Sequence, residues 1–481
     1  MQQYRSLTRH PEGSLRELWS ISLPLMISTL SSLFMLFTDR IFLAHYSLAS
    51  LNAAVTSGTL AWVFMGGVGM LTAMSEIFVA QYNGAKQYNR LGVPVWQMIW
   101  VSLFSWAFFI PLGIWGASFF FSGNLYADLE IVMFRWLMFF GPSYAFMMTL
   151  SGFFIGRGKT KMLVWLAITA NLINIVLDRA LIFGIPGFIP EMGIQGAAIA
   201  TCFGYTFEAV ILAAIFLKKK NRLLYGSGLY RINWAEMKKC CKVGFPQGIF
   251  CSLEVFGWAI FYYMMTALGE MHITISSICQ SVIILLSFFY DGLSRGAAAV
   301  VGNLIGAKKR ELVGKVLRSG AILLLIFNLI SGIFLILDPD DTIRLLFLEN
   351  GVATAINPAF QGALKTCLLF SFLYLFFEGL RWLVSGVLVA AGDTFFLLIA
   401  GSLSVWLLLL APVFFIVVKG KMAIEYAWGL AAIYSALLLF IYWLRFKWGR
   451  WKTIELIQDS ASFSESAEEP ELGTLERETE L

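Results

Sequence analysis

The feature that most constrains this chain is a succession of about twelve apolar stretches, each about 20 residues or longer and almost free of charge. Only 14% of the 481 residues are charged and 59% are hydrophobic, against roughly 25% charged in a soluble domain. Water cannot solvate a surface of that kind, so a lipid bilayer is the solvent the chain is built for. Inside hydrocarbon every backbone N–H and C=O must find a partner within the protein, which leaves helices as the natural form for runs of this length. The sequence therefore predicts an all-α polytopic membrane protein with about 12 transmembrane helices.

Hydropathy places the spans near residues 18–44, 56–82, 93–121, 131–154, 161–184, 194–217, 243–268, 275–302, 316–337, 365–390, 394–418 and 425–446. The first 17 residues are polar and the first apolar stretch is longer than a signal-peptide core, so the first helix is expected to be retained. Cationic residues collect in alternate connections: Lys86 and Arg90; Arg157, Lys159 and Lys161; Lys218 through Lys239; and Lys308 to Arg310. The positive-inside rule makes these loops and both termini cytoplasmic, with Lys419, Lys421 and Arg344 as exceptions on the other side. Residues 458–481 turn polar and acidic and read as a disordered cytoplasmic tail. The six cysteines are scattered without disulfide or zinc spacing.

The chain also repeats itself. Leu23-Pro24 matches Phe245-Pro246, and Gly84-Ala85-Lys86 matches Gly306-Ala307-Lys308, each pair 222 residues apart. Ser151-Gly152 with Gly158-Lys159-Thr160 matches Ser385-Gly386 with Gly392-Asp393-Thr394 at an offset of 234. Two six-helix bundles follow, residues 18–217 and 243–447, joined by a basic linker at 218–242 and preceded by a cytoplasmic segment, 1–17. An even helix count per repeat relates the halves by a pseudo-two-fold axis along the membrane normal, with the solute path between them.

Together these signals resemble the multidrug and toxic compound extrusion (MATE) family, in its NorM-like branch. The residues that carry the resemblance are Pro24 to Asp39 in the first helix, Gln81-Tyr82-Asn83-Gly84-Ala85 after the second, Asn174 to Asp178 in the fifth, Gly196 to Thr201 in the sixth, Phe245-Pro246 with Glu254, and Gly302 to Ala307 after the eighth. The resemblance covers nearly everything except the acidic tail. It implies a secondary antiporter that exports small organic, often cationic, solutes in exchange for Na⁺ or H⁺, with no other cofactor. It implies membrane lipid as surroundings, and neither nucleic acid nor an obligate protein partner.

Ionisable groups inside a bilayer cost about 2.5–3.5 kcal/mol on insertion scales and so mark candidate sites. At about 1.5 Å per residue, Asp39, Asn174, Asp178 and Thr201 all fall in the outer half. The resemblance implies that these four form a cation site. Two carboxylates, an amide and a hydroxyl suit a hard cation such as Na⁺, and a proton needs only one carboxylate. Polar residues facing water at helix ends are the alternative. In the second half Glu254 and Glu378 fall near the midplane, where the resemblance implies coupling or substrate binding; Glu378 stands where an Asp is usual. Arg381, three residues on, offers Glu378 a helical ion pair, whereas Glu254 has no basic residue within a turn.

Arg40 and Arg179 directly follow the first-half acids where neutral residues are expected. Together with Arg381 they are possible cleft charges, or they reach the outer headgroups instead. A cationic cleft would favour an anionic, zwitterionic or lipid-linked cargo, as in a flippase. Asp291 and Arg295, four apart, suggest a structural pair, and Glu76 and Glu208 are further cleft candidates. Trp258, Phe261, Tyr262 and Met265 form a stripe that either lines the cleft or packs the helices. An intramembrane enzyme is the remaining alternative, but no nucleophile and base share a helix face. A passive channel would want equivalent polar groups in both halves, whereas here Asp39 corresponds to Phe261 and Glu254 to Ser32.

Overall fold

The computed structural model describes residues 7–337 and 358–457. Twelve helices among them are long and apolar enough to cross a membrane: α1 Leu15–Tyr46, α2 Leu48–Gly84, α3 Tyr88–Phe121, α4 Ala127–Ile155, α5 Thr160–Ile182, α6 Ile194–Phe216, α7 Trp234–Leu268, α8 Glu270–Gly306, α9 Arg310–Leu335, α10 Ala359–Ala390, α11 Thr394–Val418 and α12 Ile424–Thr453. The number agrees with hydropathy, but several helices are longer. The α7 helix starts nine residues before the expected 243 because Asn233 accepts hydrogen bonds from the Ala235 and Glu236 N–H groups. That side chain caps a polar first turn, which an apolar window does not detect. The basic linker is therefore helical in its last nine residues, and a further short helix runs from Lys219 to Tyr225. The expected acidic tail, 458–481, and Arg344 lie outside the described residues.

Local chemistry accounts for the other irregularities. Ser14 caps α1 by accepting from the Glu17 N–H at 3.2 Å. Pro111 is followed by a wide π turn, Leu112–Gly116, and Pro412 is flanked by two more, Val405–Leu410 and Val413–Val418. A ring that cannot donate and that clashes one turn back produces such bulges.

The first six and last six spans pack mainly among themselves, and the repeat is visible in the backbone. Lys86 and Lys308 both adopt left-handed conformations, φ 61 and φ 60, rare for residues with a Cβ. Gly158 and Gly392 do likewise at φ 68 and φ 84. The two matched loop motifs thus fold into the same turns, and the matched Pro24 and Pro246 both lie inside helices.

Four helices, α1 and α2 from the first half and α7 and α8 from the second, with the end of α10, bring the halves together. Asn83 Nδ2 donates to Asn303 Oδ1 at 2.7 Å, Gln81 Nε2 to the Ala390 carbonyl at 2.8 Å and Ser252 Oγ to the Val63 carbonyl at 2.7 Å. Thr29 Oγ1 donates to Asp291 Oδ2 at 3.0 Å. Gly84 lies against the Asn303 carbonyl and Gly306 against that of Gln81, so closely that a Cβ at either would overlap it. Gly292 and Gly296 admit Met26 and Ser22 in the same way. Absence of side chains is what lets these backbones touch, as small residues do between membrane helices.

All these contacts lie toward one end. Lys309 pairs there with Glu12 at 2.7 Å, and Arg310 Nη2 donates to the Ile454 carbonyl at 2.7 Å. The first and last described segments, around Glu12 and Ile454, therefore sit on this sealed face. Beyond Thr29, Val63, Ser252 and Phe289 the four helices run roughly 22–28 Å further, with no hydrogen bond, ion pair or close glycine approach between halves among the described residues. The molecule is sealed at the terminal face and splayed at the other.

Candidate functional site

In the first half α1 packs along α5, pinned by Asn171 Nδ2 donating to Ser31 Oγ at 2.7 Å. Two turns further from the terminal face, this register sets Asp39 beside Asp178, with the two carboxyl groups within hydrogen-bonding reach of each other. Asn174 and Asp178 are fully buried and Asp39 is 9% exposed. One oxygen of Asp39, both oxygens of Asp178 and both amide atoms of Asn174 find no hydrogen-bond partner among the described residues. Buried polar atoms are almost always satisfied, and two carboxylates cannot share an apolar site without a proton or cation between them.

Thr201 joins from α6. Gly204 faces the Asn174 side chain, with 3.8 Å between an added Cβ and that of Asn174. Since α5 and α6 run antiparallel, Thr201, one turn back from Gly204, lies level with Asp178, one turn on from Asn174. Its hydroxyl donates to the Ala197 carbonyl at 3.0 Å, so its lone pairs stay available. Aromatic rings close the pocket toward the splayed end: Phe183 meets Phe42 and Tyr46 edge-on, with centroids 6.2 and 6.1 Å apart. The donor set is all oxygen apart from one amide nitrogen, which fits a small hard cation or a proton and offers nothing to a soft metal.

The two arginines beside these acids separate from them. Arg179 is exposed and lies over the Phe183 ring, 4.5 Å from its centroid. Arg40 is half-buried on the neighbouring face of α1 and within electrostatic reach of Asp39.

In the second half the helical ion pair expected between Glu378 and Arg381 is present, and it extends to Glu254. Arg381 is held by three hydrogen bonds: Nε to Glu378 Oε2 at 2.9 Å, Nη2 to Glu254 Oε1 at 2.9 Å, and a further contact from Nη2 to Glu378 Oε1. Trp382 Nε1 adds a bond to Glu378 at 2.7 Å, and the Tyr442 ring lies 5.6 Å from the guanidinium. The expectation that Glu254 lacks a cation was local to its own helix; α10 supplies one. Arg381 is 1% exposed, so it is an interior charge of the second half.

One more expectation is corrected. Arg295 makes its ion pair with Glu76 of the first half, at 3.7 Å, and Asp291 accepts from Thr29, so both of these α8 residues reach across the seam. Phe261 and Met265 are fully buried, and Phe261 packs on Trp258 and Trp428, which fits the packing alternative for these two residues of the stripe. Tyr205, set near Asp39 and 5.1 Å from the Tyr144 ring, was not anticipated; a tyrosine three residues before Glu208 gives no periodic signal. A cavity of about 950 Å³ lies at the sealed face between the two Gly-Ala-Lys turns, remote from both acid groups.

Comparison with known proteins agrees with this architecture. The MatE family profile matches residues 24–179 and 247–415, the two repeats. A probable multidrug resistance protein NorM of Thermotoga maritima is 27% identical over 90% of this chain and 93% of its own length. The multidrug resistance protein MdtK of Photorhabdus laumondii is 23% identical over 82% of this chain and 85% of its own. An outward-facing multidrug resistance MATE family transporter of the MOP superfamily superposes with a TM-score of 0.81 at 17% identity, covering 93% of this chain and 98% of its own. With both repeats matched by one profile and the whole fold shared with solved members, this chain belongs to the MatE family of multi-pass membrane transporters.

Proposed function

We propose that the protein is a secondary antiporter of the cell's inner membrane that exports small organic solutes, organic cations foremost, in exchange for Na⁺ or H⁺. Its basic loops and both termini face the cytoplasm, so the splayed end opens outward. The observation that carries the reading is the pair Asp39 and Asp178, buried side by side with three of their four carboxylate oxygens unpartnered and Asn174 and Thr201 alongside. A cation or proton arriving from outside satisfies that pocket. The two halves then rock about the Gly84–Asn303 and Gly306–Gln81 seam to expose the cleft inward. Solute taken up inside favours the empty pocket, and this exclusion couples the two fluxes.

The charge balance sets a minimum stoichiometry. Moving one positive charge outward against an inside-negative potential costs about 2.3 kcal/mol per 100 mV, which one entering cation cancels. An anionic or lipid-linked cargo loses its main support because Arg381 is sequestered between two carboxylates and Arg179 is stacked on Phe183. The test is efflux of radiolabelled tetraphenylphosphonium from proteoliposomes under imposed Na⁺ or H⁺ gradients, applied separately. One gradient should drive release. Equal rates with both gradients and with neither would contradict antiport.

A further inference from the structure

Arg295 lies where the seam ends and the cleft begins. It pairs with Glu76 on the other half at 3.7 Å, and one turn back along α8 Asp291 accepts from Thr29, again on the other half, at 3.0 Å. Asp291 on its own helix, and Glu208 and Tyr144 of the first half, also lie within electrostatic range of the guanidinium, but only Glu76 is close enough to form an ion pair with it. Glu76 and Glu208 both lie roughly 12 Å, and Arg295 roughly 16 Å, from the terminal-side ends of their helices. Any motion that parts the halves at the terminal face must break both cross-half contacts together.

Breaking an ion pair inside a membrane protein strands two charges unless new partners are at hand. For Arg295 one is built in. Asp291 sits four residues earlier on the same helix face, the spacing at which an acid and a base meet, and the same motion frees it from Thr29. We propose that Arg295 is a two-position charge switch, paired with Glu76 while the terminal face is sealed and with Asp291 when it opens. The exchange keeps the arginine compensated in both states, which lowers the barrier between them. It also bares Glu76 in the open state, beside Glu208, as a carboxylate that can receive a cationic solute from the terminal side. Arg295 is thus a positioning residue of the transport cycle; the solute part of the statement rests on the proposed function above, and the switch does not.

The experiment reads conformation directly. Spin labels at Lys159→Cys and Glu311→Cys, exposed positions on the terminal face of the two halves, give a distance distribution for the full-length protein in nanodiscs, with the native cysteines replaced. Glu76→Gln should raise the ratio of separated to sealed molecules by roughly tenfold, within the range of ordinary two-state coupling. Asp291→Asn should lower it. The milder Thr29→Val, which frees Asp291 without removing a charge, should move it in the same direction as Glu76→Gln and serves if that variant does not accumulate.

The charge exchange Glu76→Arg with Arg295→Glu separates a switch from a fixed bridge. It should restore the sealed population but leave tetraphenylphosphonium efflux slowed at least tenfold, since a glutamate at 295 repels Asp291. Recovery of both would mean a static pair and overturn the proposal. So would distributions in Glu76→Gln, Thr29→Val and Asp291→Asn that all match the unsubstituted protein. Because the distances need no solute, loss of efflux in the unsubstituted protein would count against the exporter reading alone.

Discussion

At the scale of single residues, the two halves hold their intramembrane acids differently. Glu254 and Glu378 share the Arg381 guanidinium in direct ion pairs, whereas Asp39 and Asp178 lie side by side with three of their four oxygens unpartnered and Arg40 only within electrostatic reach. A charge already paired is poor at exchanging an ion with solvent; an unpaired couple of acids demands one. Asp39→Asn and Asp178→Asn should therefore abolish gradient-driven tetraphenylphosphonium efflux while the purified variants keep the elution profile of the parent. Glu378→Gln should act differently, leaving Arg381 with one carboxylate in place of two. It is expected to lower stability by roughly 1–3 kcal/mol, the cost of an unmet buried polar group. A thermal melt in lipid nanodiscs would register that as a lower midpoint.

At the scale of elements, what the sequence revealed follows from what is periodic or local. Apolar length fixed the count of twelve spans, and the repeated Gly-Ala-Lys turns announced the two halves before any geometry was known. Helix ends were legible only where hydrophobicity changes there; the nine residues that Asn233 starts off in α7, four of them charged, were invisible for that reason. The first-half acids were reached because Asn174 and Asp178 lie one turn apart on α5, together with the family resemblance. The partners of Glu254 and Arg295 were not, since Arg381 is 127 residues from the one and Glu76 over 200 from the other. Reading Asp291 with Arg295 followed the helical spacing and missed the two neighbouring helices that compete for them, α1 through Thr29 and α2 through Glu76.

At the scale of the whole molecule, the sealed face owes its closeness to backbone contacts at Gly84, Gly306, Gly292 and Gly296 and to few side chains. Such a seam can part without dragging large interdigitated groups past each other, which suits two rigid bundles that rock. Rocking makes the two ends reciprocal. Spin labels at Leu48→Cys and Glu270→Cys, exposed at the splayed end, should approach in the same conditions in which labels at Lys159→Cys and Glu311→Cys separate. Independent changes at the two ends would be inconsistent with rigid halves. Gly306→Val, which forces a side chain into the Gln81 carbonyl, should favour the separated state at the terminal face, seen as a longer distance between the same terminal labels.

The central claim is that occupancy of the Asp39–Asp178 pocket is what an opposing ion gradient acts on. Its most direct measurement compares unsubstituted protein with Asp178→Asn in one assay: tetraphenylphosphonium efflux from proteoliposomes, with the driving gradient switched on and off. The gradient should accelerate efflux at least tenfold in the unsubstituted protein and have no effect in Asp178→Asn. Gradient-driven acceleration of the same size in both would contradict it.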